Sequence, residues 1–144
     1  MNLFFDTSAL VKLFSTEKGS EIVKDLISDK TNHIWISELV YLEIYCALYR
    51  KLRNKEFSVE NLKIIENEIE GQLEEFSTIP LETAVLEKSK ELIKNYGKNY
   101  GLRTLDALHI ATWFLIAENN WKFVTSDKNQ IEVIKKSGFT AIHI

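Results

Sequence analysis

The chain has 144 residues, of which 45% are hydrophobic and 27% charged, and this composition excludes an intrinsically disordered protein. Residues 1–144 have the length of one ordinary domain, so a single domain is expected. No apolar run is as long as a membrane span or a signal-peptide core, and there is one cysteine, so we expect a cytoplasmic protein with no membrane partner. The 18 basic and 21 acidic residues leave a net charge of −3, which does not by itself indicate nucleic-acid binding.

Short apolar runs alternate with helical patterns in the first half of the chain. Asn2–Phe5 is an apolar run followed by polar residues, which predicts a buried strand that leads into a helix. The further predicted elements are a helix at about 9–15, a helix at 19–28, a strand at 33–36, a helix from an N-cap at Ser37 to residue 52, and a helix opened by Ser58 that ends near residue 75.

The second half continues the same alternation. The predicted elements are a strand at 77–81, a helix at 82–96, a loop at 97–101, a helix capped by Thr104 that runs to residue 119, a strand at Lys122–Thr125, a helix at 129–137 closed by Gly138, and a strand at 139–143. Strands that alternate with helices indicate an α/β fold whose mostly parallel sheet is covered on both faces.

Two aspartates follow predicted strands directly. Asp6 comes after the first strand, and Asp127 comes two residues after the strand Lys122–Thr125. Ligand sites in open α/β sheets form outside the carboxyl ends of the strands, so both positions favour a functional site. The alternative for each residue is that it only caps the helix that follows, and both interpretations remain open.

Two further acids lie on predicted helices. The residues three and four positions from Glu43 are all apolar, so its carboxylate should project from a buried face and need a partner. That partner is either a cation or, as the structural alternative, a salt bridge such as one to Arg103. Asp106 lies in the first turn of a core helix, where the helix dipole alone would also favour an acid.

A shared site for these four acids would require a cation. Two carboxylates about 4 Å apart repel each other by about 4 kcal/mol at an effective dielectric constant near 20. Hard carboxylate ligands favour Mg²⁺ or Mn²⁺, and no cysteine or histidine spacing suggests zinc. His109 is interpreted as a core or hydrogen-bonded residue rather than as a ligand. Such a site needs no side chain as the nucleophile, because a metal-bound water can take that role.

Four segments in order resemble the motifs of the PIN-domain family. They are Asp6-Thr7-Ser8-Ala9-Leu10, Leu42-Glu43-Ile44, the segment from Arg103 to Ala111 that contains Asp106, and Thr125-Ser126-Asp127. Each motif is weak alone, but the four together span nearly the whole chain. The size of the chain and its opening motif are similar to those of VapC-type toxins of toxin–antitoxin pairs.

The resemblance implies a three-layer α/β/α fold with a central, mostly parallel five-stranded sheet. It also implies an endoribonuclease that requires Mg²⁺ or Mn²⁺, acts on RNA, forms homodimers and is inhibited by a cognate antitoxin. Asp6, Glu43, Asp106 and Asp127 would form the acidic site, with Asp6 and Asp106 as direct metal ligands. Glu43 and Asp127 would bind the metal or its water, and Ser8 would donate a hydrogen bond to the acids.

Positive residues should flank an acidic site that binds RNA. The candidates are Arg50, Lys51, Arg53 and Arg103. The alternative for the first three is a solvated helix end whose charges are favoured by the helix dipole.

Three other functions remain as alternatives. Within the same family, the chain could be a stand-alone RNA-processing nuclease rather than a toxin. From another class, it could be a non-catalytic binding module whose acids are caps and salt bridges. A phosphotransfer domain of the phosphatase type is disfavoured, because such domains place a second acid two residues after the first, where this chain has Ser8.

Overall fold

The computed structural model describes residues 1–144 and contains five strands, seven α-helices and one short 3₁₀ helix at Val11–Phe14. None of the helices is both long and apolar enough to cross a lipid bilayer. The strands are β1 (Asn2–Phe5), β2 (His33–Ser37), β3 (Ser77–Ile79), β4 (Lys122–Thr125) and β5 (Thr140–His143). The helices are α1 (Thr7–Leu10), α2 (Ser20–Ser28), α3 (Val40–Arg53), α4 (Val59–Glu74), α5 (Thr83–Tyr100), α6 (Thr104–Ile116) and α7 (Lys128–Lys136).

The five strands form one sheet in the order β3-β2-β1-β4-β5. Every neighbouring pair is parallel, so the sheet is parallel throughout rather than mostly parallel as predicted. The chain builds the sheet outward from β1 to β2 and β3, and then returns to the other side of β1 with β4 and β5. The strand order therefore reverses between β1 and β4, and a crevice forms at the carboxyl ends of these two strands.

Each face of the sheet has its own hydrophobic core. Leu3 and Phe5 of β1 belong to one core with residues of α1, α2, α3 and α4. Phe4 points to the other face, where α5, α6 and α7 supply the core. There its ring stacks on Phe123 of β4 at 5.5 Å, and Trp113 of α6 meets Phe123 edge-on at the same distance. The predicted three-layer α/β/α fold is confirmed, because alternate residues of β1, β2, β4 and β5 supply opposite cores.

Several predicted boundaries are wrong: Thr104 is the first residue of α6 rather than its N-cap, α6 ends at Ile116 rather than at residue 119, and β3 ends at Ile79 rather than at residue 81. Local backbone chemistry explains two further differences. Ser37 does not cap α3 but ends β2, where its hydroxyl accepts a hydrogen bond from the backbone of Leu39 at 3.3 Å, and the helix begins only at Val40. Residues 97–100 are not a loop, because α5 continues through Gly97 to Tyr100. The helix ends at Gly101, whose φ of +61° is the left-handed conformation that glycine adopts at low cost.

Candidate active site

The four predicted acids line one cavity at the carboxyl ends of β1 and β4, with a volume of about 640 Å³. Asp6 and Asp127 reach it from the ends of the two strands, as the strand order requires. Glu43 comes from the first turn of α3 on one face of the sheet, and Asp106 comes from the first turn of α6 on the other. No three acidic, histidine or cysteine side chains are placed to hold a metal ion together, so the acids share a cavity without forming the expected tight cluster.

Asp6 is the most deeply buried of the four acids, with 1% of its surface exposed. Its carboxylate accepts hydrogen bonds from the Ser8 hydroxyl at 2.8 and 2.9 Å, the Thr125 hydroxyl at 2.7 Å and the Ala9 backbone at 2.9 Å. Burial raises the pKa of Asp6 above its ordinary value, although the nearby positive charge of His109 and these hydrogen bonds lower it in part. Asp6 therefore caps α1 and is also a buried carboxylate with no lysine or arginine partner.

Gln130 joins Asp6 to Asp106. Its Nε2 atom donates to Asp6 Oδ2 at 3.0 Å and to Asp106 Oδ1 at 3.1 Å, and 2% of the residue is exposed. The two carboxylates, which are 100 positions apart in the chain, thus converge on one nitrogen atom. Sequence reasoning missed this residue. The signal that could have found it was its place one turn after Asp127, at the start of a helix that leaves the same sheet edge.

Glu43 is paired with His109 and not with Arg103, so the predicted structural alternative named the wrong partner. Glu43 Oε2 lies 2.5 Å from His109 Nε2 and accepts a hydrogen bond from the Thr7 hydroxyl at 2.6 Å. Burial by itself would raise the pKa of Glu43, but the hydrogen bonds from His109 and Thr7 and the charge of His109 outweigh it and lower the pKa. His109 is itself buried, which agrees with its interpretation as a hydrogen-bonded core residue.

Asp127 and Asp106 share Arg103 at the mouth of the cavity. Asp127 Oδ1 caps α7 by accepting from the backbone of Asn129 at 2.7 Å and of Gln130 at 3.2 Å. Its other oxygen lies 3.7 Å from Arg103 Nη2, and Arg103 Nε donates to Asp106 Oδ2 at 3.0 Å. The hydrogen bond to Asp106 and the charges of both acids raise the pKa of Arg103. Because 76% of its side chain is exposed, Arg103 covers these acids from the solvent side.

The other predicted basic residues line the same cavity. Lys51 is bound by two acids, with its Nζ atom 2.9 Å from Glu56 and 3.8 Å from Glu17. Arg50 and Arg53 also line the cavity and form no salt bridge. The end of α3 therefore presents two unpaired guanidinium groups beside the acids, where an incoming phosphate would meet them.

The donor chemistry of the cavity fits a hard divalent cation. Asp6 and Asp106 offer converging carboxylate oxygens, and His109 is turned toward Glu43. Mg²⁺ in proteins is commonly held by one or two carboxylates, with waters or substrate phosphates as its other ligands. A pair of converging carboxylates can therefore serve such a site when waters or phosphates complete the set of ligands.

Comparison with known proteins agrees with the fold and the motifs. Residues 3–136 match the PIN domain family. Ribonuclease VapC45 and ribonuclease VapC49 of Mycobacterium tuberculosis are each 31% identical to the chain over 119 residues, which cover 81% of this chain and 77% of theirs.

Solved structures show the same fold at lower identity. Mycobacterium tuberculosis VapC20, described as a sarcin–ricin loop cleaving toxin, superposes with a TM-score of 0.71 at 15% identity over 99% of both chains. A chain of FitAcB from Neisseria gonorrhoeae superposes with a TM-score of 0.70 at 14% identity, over 98% of this chain and 96% of that one. The family match, the identity to the VapC ribonucleases and the shared fold together show that the chain belongs to the PIN-domain family.

Proposed function

We propose that the chain is a Mg²⁺- or Mn²⁺-dependent endoribonuclease and the toxin of a VapBC-type toxin–antitoxin pair. The observation that carries this proposal is the convergence of Asp6 and Asp106 on a single nitrogen atom, at the carboxyl edge of the sheet, beside two unpaired arginines. The relatives named ribonuclease VapC support the same activity.

The acids of the cavity and the side chains that hydrogen-bond to them have different roles in this proposal. Asp6 and Asp106 would hold the divalent cation, which supplies Lewis acidity and lowers the pKa of a bound water. Ser8 and Thr125 fix the Asp6 carboxylate by hydrogen bonds, and Glu43 is held at the cavity wall by Thr7 and His109.

Substrate binding is assigned to the arginines. Arg50 and Arg53 would bind RNA phosphates, because their guanidinium groups are unpaired and fit phosphate oxygens in a bidentate manner. The reaction needs no covalent intermediate with the protein.

The test is digestion of RNA by the purified protein with Mg²⁺, with Mn²⁺ and with a chelator. The parent is compared with Asp6→Asn and with Asp25→Asn, a matched control at an exposed position on α2. We expect the parent and Asp25→Asn to cut RNA only with metal, and Asp6→Asn to lose cleavage. Equal cleavage by Asp6→Asn, or cleavage in chelator by the parent, would contradict the proposal.

The antitoxin partner is supported by several structural neighbours that are toxin–antitoxin complexes, such as the VapBC complexes of Rickettsia felis and Salmonella typhimurium. A second, largely apolar groove of about 470 Å³ is lined by α3, α4, the 3₁₀ helix and the segment that follows it, and it shares Val11, Glu17 and Lys51 with the acid cavity. A small protein encoded beside this gene should co-purify with the chain and suppress its cleavage of RNA.

The stand-alone RNA-processing nuclease is the second candidate. It retains the same acids and predicts the same metal-dependent cleavage, but no inhibitory neighbour. Failure of every adjacent small reading frame to suppress cleavage would favour it.

The homodimer implied by the family is tested by light scattering of the purified protein.

A further inference from the structure

The side-chain amide of Gln130 is buried between two carboxylates that the proposed function assigns to metal binding. Its Nε2 atom has two hydrogens, and one lies on Asp6 Oδ2 while the other lies on Asp106 Oδ1. No lysine or arginine pairs with Asp6, and the arginine on Asp106 contacts that residue's other oxygen. The partly positive end of the amide is thus the only protein group that forms a hydrogen bond to both acids.

The other end of the same amide is unsatisfied. Gln130 Oε1 is buried and has no hydrogen-bond partner. Leaving a buried acceptor without a partner is costly, so the amide is held in this orientation by what its nitrogen gains from the two carboxylates. The orientation would not be favourable if the two acids were neutralised by another group.

From these contacts we propose that Gln130 is an internal substitute for the divalent cation. Its amide holds Asp6 and Asp106 together while no ion is bound, and it competes with the ion for the same two oxygens. If an ion were held by these two oxygens, the amide nitrogen would lose both acceptors, and rotation about the last side-chain bond would allow Oε1 to gain a partner. Gln130 is therefore a positioning residue, and this inference rests on the proposed metal-dependent function.

The inference is tested by melting the intact protein in chelator and in a series of Mn²⁺ concentrations. Gln130→Met removes the donor at nearly constant volume, and Gln130→Glu replaces it with a third acid. Gln72→Met is the matched control, because Gln72 is partly buried on α4 and does not line the acid cavity. Asp6→Asn reports whether any stabilisation by Mn²⁺ arises at this site.

In chelator, Gln130→Met should melt at a lower temperature than both the parent and Gln72→Met, and Gln130→Glu should melt lower still. With Mn²⁺ the differences in melting temperature should become smaller or change sign, because in the variants the ion does not have to displace the amide. The apparent Kd for Mn²⁺ should fall roughly tenfold or more in Gln130→Met, because the ion no longer has to displace two hydrogen bonds to charged groups.

The outcomes separate this inference from the proposed function. If Mn²⁺ stabilises the parent but not Asp6→Asn, the proposed metal site is supported. In that case, an unchanged or weaker Mn²⁺ affinity in Gln130→Met contradicts only the role of Gln130. If Mn²⁺ stabilises neither the parent nor the Gln130 variants, both the proposed metal site and the role of Gln130 are contradicted. If Gln130→Met fails to fold in chelator, recovery of folded protein with Mn²⁺ supports the inference, and failure in both conditions overturns it.

Discussion

His109 Nε2 contacts the same oxygen of Glu43 that accepts a hydrogen bond from Thr7. The contact links α3 on one face of the sheet to α6 on the other, across the carboxyl ends of the strands. A buried histidine thus fixes the rotamer of one of the four acids, and Glu43 Oε1 has no partner within the protein.

The first prediction concerns this histidine. His109→Leu should lower the free energy of unfolding by about 1.5–3 kcal/mol, because Glu43 loses a hydrogen bond to a charged group. It should also reduce RNA cleavage. His109→Gln, which can place a donor near Nε2, should recover most of both losses. Urea denaturation and RNA digestion measure the effects, with His33→Leu at an exposed strand position as the control. Equal losses in the Gln and Leu variants would show that only the packing of the ring matters.

The second prediction is a pH dependence that comes from Asp6. Burial raises its pKa in the folded protein above the ordinary value of 3.8. The folded state therefore takes up this proton at a higher pH than the unfolded state does. Asp6 thus favours folding most at pH values below 3.8, and this contribution is lost as the pH rises through the folded-state pKa.

In chelator, the unfolding free energy of the parent minus that of Asp6→Asn should increase as the pH is lowered from neutral toward this range. Because both proteins contain Glu43, whose pKa shifts in the opposite direction, the difference isolates Asp6. Urea titrations at several pH values measure it, and a difference independent of pH would contradict the burial effect.

The third prediction concerns the unpaired arginines of α3. In an Asp6→Asn background, which is expected to prevent cleavage, Arg50→Gln with Arg53→Gln should weaken binding of a single-stranded RNA without a change in melting temperature. The salt dependence of the binding constant should also flatten, by about 0.7 in the slope for each phosphate that the protein no longer neutralises. Fluorescence anisotropy across a range of salt concentrations measures both. Lys94→Gln, at an exposed position on α5, should leave binding unchanged. If Lys94→Gln weakens binding equally, the RNA is attracted by the overall positive charge of the protein and not by Arg50 and Arg53.

The fourth prediction concerns Arg103. Arg103→Gln should change the free energy of unfolding by less than about 1 kcal/mol, because its ion pairs lie at the solvent surface. Its removal should nevertheless strengthen Mn²⁺ binding about threefold, since the exposed positive charge beside Asp106 and Asp127 is removed. Melting curves in Mn²⁺ measure the affinity, again with Lys94→Gln as the control. Weaker Mn²⁺ binding in Arg103→Gln would indicate that Arg103 positions these acids.

Local pattern was enough to predict most of the fold. The strand Lys122–Thr125 was predicted with its observed limits, because a run of four residues is too short for a typical helix and its phenylalanine, valine and threonine favour a strand. The region 97–101 failed because a glycine is only a weak helix breaker. Gly97 stays in α5, where Tyr96 and Tyr100 pack together with ring centroids 6.1 Å apart, and only Gly101 needs the left-handed backbone.

The sequence by itself determined which residues end strands and which acids lie on core helices, since both follow from period and position along the chain. Only the tertiary structure decided which polar groups face those acids. Gln130 reaches Asp6 across 124 positions, and His109 reaches Glu43 across 66, through a strand order that reverses between β1 and β4. The energy of such contacts depends on distance and burial in space, and neither is encoded in local spacing.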